Sequence, residues 1–521
     1  MAGGSQRTRQ RLSVCPALLG PVVSGYLRRR AGRRSMLYRL VLVLSALIVA
    51  LLPGVLHADD DSLVGPRHTS YTLDWDKRRL PGPQSYELEW EIEGPRLAPG
   101  GLKDPADLFL DRAGYLYIAD RGDDRVVRLT SEGVFVDIIG PAAPDGLSQP
   151  EGVFVADDGE IYVADTGHSR IAVFNPNGSF RYSIGAPHSN LLEEGPYKPS
   201  KLIVDRRGYI YVIESGGDYR GILLLDHQGT FRGFFAANPV GFSLQRWFAR
   251  IFATKEQKKQ LSKVRPTHHA NMVLDDRGFV YTVLPFASSD QIKKLSQIGT
   301  NVYPSGKYGE VEREPSGAVQ QPRFIDIAVD EQGIISALDF NSGKIYQYDQ
   351  NGNFLTVFGG KAWRRGYFGY PASLVAGPGG VLYVLDAERA SVDRFRPTEF
   401  TRLVHQASAL YFDGKYEEAA EIWRQVLKLD TNYILAHQGL AKAYLKQEQW
   451  REAMQEYFYA HDRAGYSQAF AEWRHQFARE HFGLVMFGTG AVILLLWGFF
   501  RVLGWLLAQA NRLERQLTGY Q

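Results

Sequence analysis

Asp107, Asn271 and Asp326 carry oxygen donors at one equivalent position in three repeated segments that each run on into an Asp-x-x-Gly turn; Gly152, Lys201 and Ser373 fill the same position in the other three copies. Carboxylate and amide oxygens converging on one axis suit a hard divalent cation such as Ca²⁺. Lys201 works against that reading, because its ammonium would share the ring with any metal, and the alternative is ordinary polarity at a solvated mouth. The histidines His168, His188, His268 and His269 do not recur at equivalent positions, so the three imidazoles of a zinc site do not obviously converge. His168 lies in the turn Asp165 to Arg170 and reads as structural. Asp120, Asp165, Asp339 and Asp386, with Glu214, close the second apolar run of their copies. Bonding to the following turn, or to Arg125 and Arg170, accounts for them without catalysis.

A second candidate surface lies between the third and fourth copies, in an insertion spanning 239–267 that the repeat does not need. Leu244, Trp247, Phe248, Ile251 and Phe252 fall on one face of a helix, beside Arg246, Arg250, Lys255, Lys258, Lys259, Lys263 and Arg265 and a lone Glu256. An apolar stripe next to a basic face is the pattern of a helix lying in a membrane surface or against a partner. A helix packed across the domain with solvated lysines is the competing expectation.

The elements that must position these residues are set by self-similarity. PADLFLDRAGYLYIADRGDDRVVRLTSEGVFVDIIG from Pro105 and PEGVFVADDGEIYVADTGHSRIAVFNPNGSFRYSIG from Pro150 are the clearest copies, with weaker ones from Pro199, His269, Pro322 and Pro371. Each reads as short apolar strands separated by turns such as Asp111 to Gly114 and Asn175 to Gly178, where Gly supplies positive φ. Recurrence at this period predicts a propeller, and six copies predict six blades. Tyr-Ile/Val-Ala-Asp followed by Arg-Val/Ile resembles the NHL repeat, and the resemblance implies an all-β propeller. It also implies two enzyme types to consider: gluconolactonase-like propellers, which hold a cation on carboxylate and amide oxygens, and amidating-lyase propellers, which use zinc. The sixth copy stops after Phe395 without its closing strand. Tyr86-Glu-Leu-Glu-Trp-Glu-Ile92 alternates apolar and charged residues and is expected to supply that strand and shut the ring.

After Phe400 the apolar period changes from strand to helix, and Tyr416 and Ala419 recur as Trp450 and Ala453. The segment resembles a pair of tetratricopeptide repeats, with Thr431 where a proline usually stands. Two such repeats bury their apolar faces poorly alone, so a further helix around Ala469 to Phe477, the propeller or a partner is expected to cover them.

The ends of the chain speak to location. Met36 to Arg39, the apolar run Leu40 to Leu56, and His57-Ala58 before three aspartates have the order of a secretory signal with cleavage after Ala58; an uncleaved signal anchor is the alternative. The arginine-rich stretch before Met36 is expected to be disordered, or to precede the true start. Phe482 to Phe500 is long enough to span a bilayer, with Arg501, Arg512 and Arg515 beyond it favouring a cytoplasmic C-terminus. The single cysteine, Cys15, falls in the leader, so the exported part has no disulfides. Among 521 residues, 60 Lys and Arg against 57 Asp and Glu give a formal charge of +3, which demands no nucleic-acid partner.

The expected organisation is a leader over 1–35, a signal peptide or anchor over 36–58, a linker over 59–85 and a propeller over 86–400 with its insertion. Helical repeats over 401–478, a transmembrane helix over 482–507 and a tail over 508–521 follow. The expected function is that of a membrane-anchored extracytoplasmic scaffold with an envelope protein partner; a metal-dependent lactonase or lyase is the alternative, and the expectation leans against an enzyme. RNA binding, known for cytoplasmic NHL propellers with a basic face, is set aside because export removes the substrate.

Overall fold

The computed structural model describes residues 70–192, 195–215, 221–236, 268–313 and 317–518. The leader, the signal segment and the stripe Leu244, Trp247, Phe248, Ile251 and Phe252 lie outside the described residues.

The repeats fold into a six-bladed β-propeller. Blade 1 runs outward from the axis as Pro105–Leu110, Tyr115–Asp120, Arg125–Thr130 and Phe135–Ile139, each strand antiparallel to the last. The turns behave as their residues dictate: Gly114 has φ 86°, and its N–H bonds the Asp111 carbonyl at 3.1 Å. Alternation puts one side chain of each pair into the wedge towards each neighbouring blade, and six buried apolar clusters fill the six wedges. The first strands of successive blades touch around the whole axis.

Three blades depart from the plain four-strand unit. Blade 4 shows three strands among the described residues, Met272–Leu274, Val280–Val283 and Ile292–Leu295, with a single bridge from Leu295 to Asn301 beyond them. Blade 6 ends on Ser391–Pro397 and takes its fourth strand from Tyr86–Glu93, as the alternating sequence requires. The register sets glutamates against arginines: Glu91 meets Arg389 at 2.6 Å, Glu89 meets Arg394 at 3.3 Å and Glu87 meets Arg396 at 3.3 Å. The apolar members of the strand face inward, Tyr86 stacking on Phe358 at 4.3 Å. Blade 5 is wider than expected, because the segment read as a linker contributes the strands Tyr71–Leu73 and Arg79–Pro81 to its outer edge. Tyr71 is buried there among the aromatic residues of blades 4 and 5, which is why a segment without repeat signature is held.

Beyond the propeller come α1 (Glu399–Phe412), α2 (Tyr416–Leu429), α3 (Ile434–Lys446), α4 (Trp450–Tyr459), α5 (Arg463–Glu480) and α6 (Phe482–Thr518). The first four are two antiparallel pairs, each packed on the next, and α5 covers α4 through Ala469. The helix pairs also rest on the propeller. Phe400, Val404, Trp423 and Tyr433 share one buried cluster with Ile334 and Leu355 of blade 5, and the Tyr433 hydroxyl donates to the Leu355 carbonyl at 3.0 Å. α1 is capped by Thr398, whose hydroxyl also donates to the Gln84 carbonyl at 2.6 Å, so the helix starts where the closing strand starts. α6 is one apolar helix running past Leu507 to Thr518; no Gly or Pro stands between to stop it where the tail was expected to begin.

Candidate functional site

The equivalent position picked out in the sequence is a real ring at the axis. In five blades the first strand shifts register at its second residue, as between Pro105 and Asp107 or Phe324 and Asp326. Such a bulge re-aims the residue after it. Asp107 then reaches the Val153 N–H of blade 2 at 3.0 Å, and Asp326 reaches the Leu374 N–H of blade 6 at 2.7 Å. Blade 2 contributes Gly152 because nothing larger fits: a Cβ there would lie 2.3 Å from the Ser200 carbonyl oxygen.

The side chains of the ring are bonded to one another. Lys201 donates its ammonium to Asp107 and, at 3.1 Å, to the Ala106 carbonyl. The Ser373 hydroxyl lies 2.7 Å from Asp326 and 3.3 Å from Asp107, and Asn271 donates its amide to Asp326. Asn271 turns its own oxygen to the Met272 N–H at 2.8 Å. Asp326 is fully enclosed, and burial pushes its carboxyl up to about 6, with Lys201 and the Ser373 and Leu374 hydrogen bonds pulling the other way.

This donor set does not fit a divalent cation. Asp107, Asn271 and Asp326 are brought together, but the Lys201 ammonium supplies the positive charge, and each oxygen already accepts a hydrogen from a neighbouring strand or side chain. Among the described residues no group of three or more His, Cys, Asp or Glu is placed to hold a metal ion. The ring fastens blades 1, 3, 4, 5 and 6 side chain to side chain.

The other chemical candidates have structural partners. Asp165 accepts from Arg170 at 2.7 Å, His168 at 3.0 Å and the Ser148 N–H at 2.7 Å. Asp120, Asp339 and Asp386 likewise accept from the Lys103, Arg323 and Gly369 N–H groups at 2.7, 2.7 and 2.6 Å, so each acid ties the loop entering a blade to that blade's second strand. His269 is buried against the Thr282 hydroxyl at 3.0 Å, and burial lowers it to about 3. His188 is exposed. Three residues before Asp326 and Ser373, just ahead of the innermost strands, Arg323 and Tyr370 meet aromatic rings of the adjoining loops. No repeat signature marks those positions, since they differ from blade to blade.

The NHL repeat family model matches residues 147–174, within blade 2 and the loop before it, and a tetratricopeptide repeat model matches residues 412–457, across α2, α3 and most of α4. The chain thus carries an NHL propeller followed by tetratricopeptide helices and a candidate membrane-spanning helix. No curated protein matches it. Among solved structures, a streptogramin B lyase is 12% identical with a TM-score of 0.40, over 60% of this chain and 98% of that one. A virginiamycin B lyase from Staphylococcus aureus is 12% identical over 61% and 91%, with a TM-score of 0.35. A gluconolactonase from Xanthomonas campestris is 12% identical over 57% and 87%, with a TM-score of 0.38. No activity follows from similarities of this size.

Proposed function

We propose that this protein is a membrane-anchored extracytoplasmic scaffold whose propeller and tetratricopeptide surfaces hold partner proteins beside the bilayer. The observation that carries the reading is α6: Phe482–Gln516 contains an apolar window of mean hydropathy 2.1, none of that window is buried, and the helix follows directly on helices docked to the propeller. A bare apolar helix of that length finds its cover in lipid. The propeller and helical repeats then form one body held at the membrane, and both repeat types offer broad binding surfaces. The lactonase or lyase alternative is weakened by the ring, whose acids and lysine are spent on one another.

Sidedness follows from the signal-like run Leu40 to Leu56, which with a single later span puts the propeller outside and the C-terminus in the cytoplasm. In a Cys15→Ser background, Ser289→Cys should react with a membrane-impermeant maleimide in intact cells, and Gln516→Cys only after permeabilisation. The reverse pattern would overturn the sidedness, and recovery of the full chain in the soluble fraction would overturn the anchor. The insertion stripe around Trp247 and Phe248 is proposed as an additional contact with anionic lipid or with a partner. Trp247→Ser with Phe248→Ser should abolish salt-sensitive vesicle binding of the full chain's soluble part, cut before Phe482, if lipid is its ligand.

A further inference from the structure

The funnel has two unlike mouths. The Asp-x-x-Gly turns face the helices: His405 of α1 lies 3.9 Å from Asp330 in the blade 5 turn. The opposite mouth is formed where the innermost strands begin, and on the side of blades 4, 5 and 6 it carries positive charge set in aromatic rings. Arg323, three residues before Asp326, holds its guanidinium 4.9 Å from the centres of both Phe286 and Phe340. Lys361, from the loop between blades 5 and 6, lies 4.5 Å from the centre of the same Phe340 ring. Tyr370 meets Phe340 edge-on at 4.8 Å. Phe286 and Tyr370 remain 59% and 50% exposed beside the two cations.

Among the described residues no carboxylate lies within ion-pair distance of Arg323 or Lys361, although nearly every other arginine near the strand ends has one, as Arg125, Arg170 and Arg389 do. The Arg323 Nε is buried with no hydrogen-bond partner among the described residues. Aromatic faces position a guanidinium without neutralising it, and a desolvated N–H without an acceptor is costly to leave. His268, tilted against Phe286 with ring centres 5.3 Å apart, is pushed down by burial and then by Arg323. Glu388 approaches Gly369 on the rim but pairs with neither cation.

From this geometry we infer that the mouth formed by Arg323, Lys361, Phe286, Phe340 and Tyr370 is a docking site for an acidic, aromatic-bearing peptide segment of a partner protein. The carboxylate takes the guanidinium and ammonium, and the ring packs between Phe286 and Tyr370. Arginine and tyrosine beside a partly enclosed apolar floor are the residue types that dominate protein interfaces, and a planar guanidinium matches a carboxylate in two parallel hydrogen bonds. The inference rests on the scaffold reading and names the chemistry of one partner.

The test uses the full chain in detergent and a fluorescein-labelled octapeptide of alternating Glu and Phe, with matched peptides carrying Lys for Glu or Ser for Phe. Saturable, salt-sensitive binding of the Glu-Phe peptide alone, weakened about tenfold or more by Arg323→Gln and by the exposed Lys361→Gln without loss of melting temperature, is the expected result. Equal binding of the Lys-Phe peptide, equal binding by both variants, no binding at all, or binding only to vesicles of anionic lipid would overturn it. A second measurement separates the two readings: cross-linked partners recovered from membranes with the wild type and undiminished with both variants would remove this site and leave the scaffold standing. Recovery of none with the wild type would remove the scaffold itself.

Discussion

Lys201 decides what the funnel can be. A lysine that is 15% exposed and bonded to Asp107 is the counter-charge for two buried acids, so Lys201→Met should cost about 3 kcal/mol or more in chemical unfolding at pH 8. The deficit should shrink towards pH 5. Asp326 has a folded value near 6, above its ordinary 3.8, so the folded protein binds a proton that the unfolded chain does not between those values. Its contribution to stability is therefore full below about pH 4 and is lost as pH rises through 6. Asp330 and Asp393, raised by burial to about 6 and about 7, act in the same direction. In Asp326→Asn the fall in melting temperature between pH 4 and 7 should be smaller than in the wild type; an unchanged slope would show that Asp326 is ionised throughout. None of this was legible in the sequence, whose repeats put six residues at one equivalent position but could not show that a bulge turns each acid into the neighbouring blade.

Among the elements, the closing strand and α1 hold the ends together. Tyr86 is buried, its hydroxyl donates to the Gly380 carbonyl at 3.0 Å and accepts from Gln347 at 2.9 Å, and Gln347 in turn meets His405 of α1 at 3.0 Å. Tyr86→Ala should therefore cost about 3–5 kcal/mol, measured by chemical unfolding. A chain starting at Gly82 loses only the added hairpin and should melt slightly below one starting at Asp59, whereas one starting at Pro95 exposes the edge of blade 6 and should aggregate or melt far lower. Similar melting for all three would place the closure elsewhere. His405 gives the opposite pH sign to the acids: burial holds it near 3, below its ordinary 6.5, so the unfolded chain takes up the proton first. Its stabilising effect is present above about pH 6.5 and is lost as pH falls, and His405→Gln should flatten the acid side of a melting-temperature profile. The alternation in Tyr86 to Ile92 announced a strand, while the hairpin at Tyr71 carried no repeat signal because one buried tyrosine, not a pattern, holds it.

At the scale of the molecule, the propeller and the tetratricopeptide helices share a core. Phe400, Trp423 and Tyr433 pack with Ile334 and Leu355 into one cluster, so the two should unfold together. Calorimetry of a chain cut before Phe482 should give one transition, and Tyr433→Ala should lower or split it; two transitions in the unaltered protein would mean the docking is loose. The shared core also fixes which surfaces are left for partners, because among the described residues the helices occupy the turn side of blades 5 and 6 and do not reach the Arg323 mouth.

By itself the sequence determined the number of blades, the strand that closes the ring, the helical pairs and the apolar terminal helix. Each of these is written in periodicity and turn chemistry, which are local properties of the chain. The tertiary structure decided how Asp107, Lys201, Asn271, Asp326 and Ser373 bond to one another, and where an arginine without an ion-pair partner among the described residues meets two aromatic rings. Those outcomes depend on distances between residues far apart in the chain. A β-bulge, a close approach at Gly152 and the burial of Asp326 set those distances, and no spacing along the sequence encodes them.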